Sequence, residues 1–348
     1  MARRGLALFY SARGEVERGR ALAAEVLEAA EARGDREQML FWYPNLATPE
    51  YFQGKFASSL AHCERAIALY DPVQHHGLVR VLMTDQGVNA LSLSAWNLWH
   101  LGQPDAALAR IREAVARARP LNHPFSLALA LFFETALHAS RRDIAAQRER
   151  AAELITLSEA QGFPLWLGLG RAYDAVARVT GGEPEALSEM MDGVALAAET
   201  GNRPGAPGLF VLFAEAQQFA GQLAAAQGTV ATALALAAQT GQSFWDADLH
   251  RLDGDLLLAR GGAADEAAAR YRRALAIARE QGARSLELRA ATSLARLLRD
   301  QGKRAEARDL LAPIYGWFTE GFDTRDLKEA KALLEELQSV QRTLAADR

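Results

Sequence analysis

The sequence predicts an all-α fold: a right-handed α-solenoid of about eight helical hairpins, closed at its C-terminal end by a capping helix. Three observations predict it. A small residue followed by a helix start recurs at Gly14, Gly54, Gly102, Arg142, Gly182, Gly221, Gly262 and Gly302. The steps are 40, 48, 40, 40, 39, 41 and 40 residues, the mark of stacked, identical supersecondary units. After each position comes the same local grammar, a short polar stretch and then an apolar run, as in GQPDAALARIREAVARA and GKRAEARDLLAPIYGWF. Half of the 348 residues are hydrophobic, with Ala and Leu dominant, and both lose little on entering a helix.

Each unit reads as helix A, a turn and helix B. The repeats fall at 1–34, 35–72, 86–120, 124–162, 163–202, 205–242, 243–282 and 283–322, in one domain over 1–348. A solenoid can be this long because each repeat packs on its neighbours and the core grows in one dimension. Helix A ends at the recurrent glycine, which suits a left-handed C-cap. Pro104 and Pro184 follow that turn, where a first helical residue needs no N–H. Pro120, Pro124, Pro164, Pro204 and Pro207 fall between repeats, where helices should stop. In repeat seven the helices run over 245–258 and 265–280, with Ala267, Tyr271 and Ala274 on one face. In repeat eight, Leu286, Leu288, Ala291, Leu294, Leu297 and Leu298 make an amphipathic helix A.

Four irregularities carry expectations of their own. Pro44 and Pro49 predict a kink or a non-helical segment within 41–52. The 48-residue step places an extra-long connection at 71–87. Leu327, Ala330, Leu333, Leu334, Leu337 and Val340 mark a capping helix over 323–344, which a repeat array needs at its end. Leu6, Leu8, Phe9 and Tyr10 have no such cover, so this N-terminal edge is expected to pack on an upstream domain or on a second copy of the chain.

The chemistry-bearing motifs are sparse. There is no GxxxxGK[ST], HExxH, CxxC or GxSxG, which removes the commonest nucleotide, zinc and nucleophile signatures. GLGRAY at 168–173 lacks a third glycine and follows no strand, so it reads as helix. His75 and His76 are adjacent and cannot share a face, and they read as a solvated connection; His100 and His138 read as groove or packing residues. Cys63 reads as a small buried hydrophobe, and a single cysteine excludes an internal disulfide. WDADLHRLDGD at 245–255 fails the calcium-loop pattern, while Asp246 and Asp248 suit a helix N-terminus. The net charge of −4 gives no field to draw nucleic acid or an anionic membrane. No signal peptide or membrane span is read, and the chain is expected to be cytoplasmic.

The small and aromatic positions Ala107, Ile111 and Ala114, and Ala267, Tyr271 and Ala274, resemble helix B of a tetratricopeptide (TPR) repeat, lengthened from the standard thirty-four residues. ALYDPVQHH, LNHPFSLALAL, EAQGFPLWLGLG and the run from Ala283 to Leu337 resemble the C-terminal repeat region of large bacterial signalling proteins. There a class III adenylate/guanylate cyclase or a winged-helix regulator precedes an AAA/STAND-type ATPase and then the repeats. The resemblance implies a non-catalytic regulatory scaffold, without cofactor or metal, that binds a peptide or partner domain in its concave groove. It also implies an upstream ATPase or cyclase domain as a partner. A small-ligand sensor is the alternative, and an enzyme with a groove active site the least favoured reading. In such arrays helix A faces the groove. That register assigns Trp96, Trp99, Phe132, Glu215, Gln218, Asp248, Arg251, Asp255, Arg289, Arg296 and Arg299 to partner binding, with aromatics and arginines as interface anchors. For Trp96, Trp99 and Phe132, packing between repeats is the competing role.

Overall fold

The computed structural model describes residues 16–75, 83–201 and 206–346, together with Leu6, Gly77 and Val79. Every regular element among them is helical. The A helices are α2 (Arg36–Phe52), α5 (Gln86–His100), α7 (Pro124–Arg141), α9 (Pro164–Thr180), α11 (Ala206–Phe219), α13 (Asp246–Ala259) and α15 (Arg284–Asp300). Their B partners are α3 (Phe56–Leu69), α6 (Pro104–Ala118), α8 (Ile144–Gln161), α10 (Leu187–Glu199), α12 (Leu223–Thr240), α14 (Ala264–Gln281) and α16 (Arg304–Tyr315). Before them lies α1 (Val16–Arg33), a B helix, and after them α17 (Arg325–Ala346). Pro72–His75 forms a single turn, α4.

The recurrent turn residues adopt positive φ as C-cap geometry demands: Gly54, Gly102, Arg142, Gly182, Gly221 and Gly302 lie between 59° and 105°. In repeat seven the left-handed residue is Gly261, at 79°, so the register there is one residue earlier than the sequence period placed it. A second left-handed series ends B helices at Gly34, Gly162, Gly201, Gly241 and Gly282, with Asn122 standing in once; Gly321 lies in the turn between α16 and α17. Asp35, Asp85 and Asp143 cap α2, α5 and α8 through the backbone N–H groups of Gln38, Val88 and Ala146. Pro104, Pro124 and Pro164 each open a helix.

The expected non-helical break at Pro44 and Pro49 does not occur. Helix α2 runs through both prolines. Extra side-chain donors reinforce the turns that lose amides: Asn45 Nδ2 donates to the Phe41 carbonyl at 2.7 Å, and Thr48 Oγ1 to that of Pro44 at 3.0 Å. Leu40, Trp42, Tyr43, Leu46, Ala47 and Tyr51 are buried around the helix, and this packing offsets the missing bonds. The long connection is also less solvated than expected. His75 is buried, and its Nδ1 accepts the Asp71 N–H at 2.8 Å; His76 lies outside the described residues.

The core follows the small-large pattern of the B helices. Ala107, Ile111 and Ala114 are fully buried, as are Ala267 and Ala274, with Tyr271 at 2% exposure. Gly254 leaves the room that the Tyr271 ring fills, since a Cβ there would lie 2.7 Å from it. The GLG of α9 serves packing as well. Gly168 faces Gly193 of α10 so closely that a Cβ on Gly193 would meet the Gly168 carbonyl oxygen at 2.7 Å.

Helix α17 is the cap. Leu327, Ala330, Leu333, Leu334 and Leu337 are buried against the last hairpin, in one cluster with Leu294, Leu297 and Leu298; the side chain of Val340 lies outside the described set. Each buried Leu contributes about 1.5–3 kcal/mol, so deleting 323–348 should fray the last hairpin before the rest unfolds. Hydrogen exchange within 282–299 reads this, and unchanged protection after the deletion would refute the capping role.

Repeats do more than touch their sequence neighbours. The Phe244 N–H donates to the Phe52 carbonyl at 3.2 Å, and Ser243 Oγ to that of Gln53 at 3.0 Å. Ser285 Oγ donates to the Trp99 carbonyl at 2.5 Å. Glu320 accepts the Asp105 and Ala106 N–H groups, at 2.9 and 3.1 Å, at the start of α6. Each contact joins a hairpin to the unit five further on, so one superhelical turn takes five hairpins and successive turns meet along a seam. The leading Leu8, Phe9 and Tyr10 lie outside the described residues; Leu6 is exposed.

Candidate functional site: an aromatic lumen

The seam narrows the groove into a partly open lumen. Inside it lies a cavity of about 410 Å³, within the usual size range of ligand pockets. Its wall takes Tyr51 and Phe52 from α2, Trp96, Trp99 and His100 from α5, and Phe132 and Phe133 from α7. Trp166 and Tyr173 of α9, Phe210 and Phe213 of α11, and Phe244 and Trp245 at the start of α13 complete the aromatic lining. The A helices supply most of it, joined by Val194, Ala197 and Ala198 of the B helix α10.

Tyr51 is the hub of this wall. Its ring centroid lies 5.3–5.6 Å from those of Phe52, Phe56, Trp96, His100 and Phe244, the range of edge and offset contacts. Its hydroxyl sits 3.0 Å from His100 Nε2, while the imidazole stacks on Phe56 at 4.1 Å. Burial, aided by the Arg289 charge, pushes the His100 pKa down to about 3, so this ring is neutral. Trp96 donates its indole N–H to the Phe133 carbonyl at 3.0 Å and is thereby held edge-on to Phe132.

A charged partition separates this cavity from a second one of about 630 Å³. Arg251 bonds Asp248, Asp255 and Glu215 at 2.5, 2.6 and 2.9 Å. Arg289 bonds Asp326 at 2.8 Å, Asp248 at 3.3 Å and the Ser140 carbonyl at 2.5 Å, with its guanidinium 5.1 Å over the Trp99 ring. Burial pushes the Asp248 carboxyl up, but the Arg251 and Arg289 charges outweigh it and hold the group at about 2. The network is ionised and internally paired, as buried charges must be.

No protein-family model matches the sequence. An uncharacterized protein of Rhizobium meliloti (strain 1021) is 27% identical over 212 residues, or 61% of this chain; the chain spans 20% of that protein's length. Among solved structures, a Rap protein complexed with competence and sporulation factor matches with TM-score 0.60 at 13% identity, over 100% of this chain and 99% of that one. The apo form of RapI matches with TM-score 0.50 at 8% identity, over 85% and 99%. Likeness at such identities concerns the fold. The hairpins, their alanine-rich B helices and this match over the full chain decide it. The chain is a TPR-like repeat array.

Within the array, the residues that the sequence register assigned to the groove separate into groups. Trp96, Trp99 and Phe132 line the aromatic cavity; Gln218, Arg251, Asp255 and Arg296 line the charged one; Glu215 and Arg289 border both, and Asp248 the first. Arg299 lines neither and pairs with Asp300 and Glu336 at 2.9 Å. Asp248 is 1% exposed and Trp99 3%, so both act through packing as well as at the wall. The register missed Tyr51, Phe133, Trp166, Tyr173, Phe210 and Trp245, while His100, read as a groove or packing residue, lines the cavity. The available signal was the density of aromatic residues along the A helices, from Tyr51 in α2 to Trp245 before α13. Among the described residues, no group of three or more His, Cys, Asp and Glu is placed to hold a metal, and no helix is long and apolar enough to cross a membrane.

Proposed function

We propose that the array is a non-catalytic interaction module of bacterial signalling or transcriptional control. It takes a peptide, or a segment of a partner domain, into the lumen. The observation that carries this reading is the continuous aromatic wall with paired charges at one end, since buried aromatic anchors supply most of the energy at protein interfaces. A Rap protein of the same fold has been solved with competence and sporulation factor, which supports a binding role. The greater length of the Rhizobium meliloti relative supports an array that works beside other domains, an ATPase or cyclase among them. The net charge of −4 and the single cysteine fit a cytoplasmic module that does not bind nucleic acid. Contact through the N-terminal edge, with an upstream domain or a second copy, belongs to the same proposal.

Selection of peptides from a display library, followed by titration of tryptophan emission, tests it. Phe132→Ala should weaken a selected peptide about 30-fold, the effect of a hot-spot side chain worth about 2 kcal/mol. Equal binding by the variant, or no peptide retained by the parent, would sink the reading. The size of the aromatic cavity, about 410 Å³, also favours a second reading, a small-ligand sensor. Saturable binding of a metabolite without any partner would favour that one.

A further inference from the structure

One superhelical turn, from α5 to α13, brings a ring to the aromatic cavity from each of its five A helices. These are Trp96, Phe132, Trp166, Phe210 and, at the N-cap of α13, Trp245. Trp96, Phe132, Phe210 and Trp245 are only partly buried, so ring surface is accessible from the cavity. Four of the chain's six tryptophans line it. Twelve Phe, Tyr and Trp side chains stand there against seven leucines, although Ala and Leu dominate the sequence. Leucines would hold a hydrocarbon as well. What a ring adds is the negative face of its π-system, which attracts cations.

The charges of the wall have the matching sign. Glu215 and Asp248 line the cavity with a single guanidinium, that of Arg289, so the local potential leans negative. That guanidinium itself lies 5.1 Å over the Trp99 ring, a cation already seated on an aromatic face of this wall. The acceptors at the charged end are engaged within the protein. Arg251 holds Asp248 and Glu215, and Arg289 holds Asp248 and the Ser140 carbonyl. A primary ammonium entering the lumen would trade its water for rings and leave N–H groups unpaired, which is costly. A fully methylated ammonium has no N–H to satisfy and keeps the charge that the rings attract.

We infer that the aromatic cavity is a binding site for a trimethylammonium group. The methyl groups lie against the rings contributed by the five helices, and the charge is met by those rings and by the excess carboxylate of the wall. The inference rests on the lumen as a binding site, which both readings above share, and names the group that enters it. A free small molecule or a trimethylated lysine of a partner peptide carries that group, and the rings recognise the same end of either.

Three probes of one skeleton, read by tryptophan emission at constant ionic strength, test this: choline (trimethylammonium), 3,3-dimethyl-1-butanol (its uncharged carbon isostere) and ethanolamine (primary ammonium). Choline should bind about tenfold more tightly than either of the others. Phe132→Leu and Phe210→Leu keep an apolar side chain and remove a ring from two different helices. Each should weaken choline about three- to tenfold and leave the isostere within about twofold; circular dichroism checks that each variant is folded. With the choline preference in place, a trimethyllysine peptide compared with its unmodified form separates the sources. Discrimination between the two peptides places the group on a partner, its absence places the group on a free small molecule, and either supports the inference. The isostere or ethanolamine binding as tightly as choline, or both ring variants leaving choline unchanged, overturns it. If selected peptides bind while choline shows no preference, this inference falls and the lumen-binding reading stands. If neither peptides nor probes bind, both fall.

Discussion

Acidification should destabilise the fold from about pH 6.5 downward, although Asp246, raised by burial to about 6, takes its proton first in the folded state and offsets part of the loss. His100 and His138 are 1% and 5% exposed, and burial lowers their pKa values to about 3 and about 4. A histidine depressed in the folded state contributes stability that is complete above the unfolded pKa near 6.5. It is lost as pH falls toward the folded value, because only the unfolded chain can take up the proton. Each such ring gives a slope of about 1.4 kcal/mol per pH unit. Several kcal/mol should therefore disappear between pH 6.5 and pH 4.5. A second loss follows between about pH 4 and pH 2, as Asp248, held at about 2 by Arg251 and Arg289 against its burial, takes its proton. Urea midpoints across this range measure the effect. The double variant Tyr51→Phe, His100→Phe should remove about one ring's share of the upper slope. A midpoint that stays constant from pH 7 to pH 5 would contradict the assignment.

Arg289→Met should cost about 3–5 kcal/mol, the range for breaking a buried ion pair from one side. Methionine keeps the aliphatic stem over Trp99 but leaves Asp248 with Arg251 alone and Asp326 with Arg142 at 3.3 Å. The Ser140 carbonyl also loses its donor. Because Arg289 joins α7, α13, α15 and α17, local hydrogen exchange at 138–142 should rise together with the global loss. Arg299→Met is the contrasting case. Its partners Asp300 and Glu336 are 62% and 43% exposed, and such pairs contribute about 0–1 kcal/mol. Equal losses in the two variants would show that the network holds nothing across the turns.

Much of the architecture was legible because it is local. Helix ends depend on caps and left-handed residues within a few positions, so the glycine series located the A-helix ends to within one residue, at Gly261 instead of Gly262. Pro44 and Pro49 misled because their cost is local, whereas the compensation from Asn45, Thr48 and the packing around Trp42 and Tyr51 is partly tertiary. The aromatic wall was half legible. Trp96 and Phe132 follow from the helix register, but Phe244 and Trp245 become wall residues only once the coil bends round to bring them against Tyr51 and Trp99. His100 shows no distinguishing neighbour in sequence; its partner Tyr51 is 49 residues away. The seam was illegible altogether, since nothing periodic announces that Ser285 will meet Trp99.

That seam changes how the molecule must assemble. A simple stack can nucleate at any hairpin and grow by short loop closures. Here Ser285 and Trp99 are 186 residues apart, and Glu320 and Asp105 are 215 apart. Such contacts raise the contact order late in the reaction, after the intervening hairpins have set their pitch. Docking of one turn on the next is then a separate, final step, with a pitch error in any of the four hairpins between feeding directly into its rate. Chain synthesis runs the same way, because the strip on α2 and α5 stays exposed until α13 and α15 have left the ribosome.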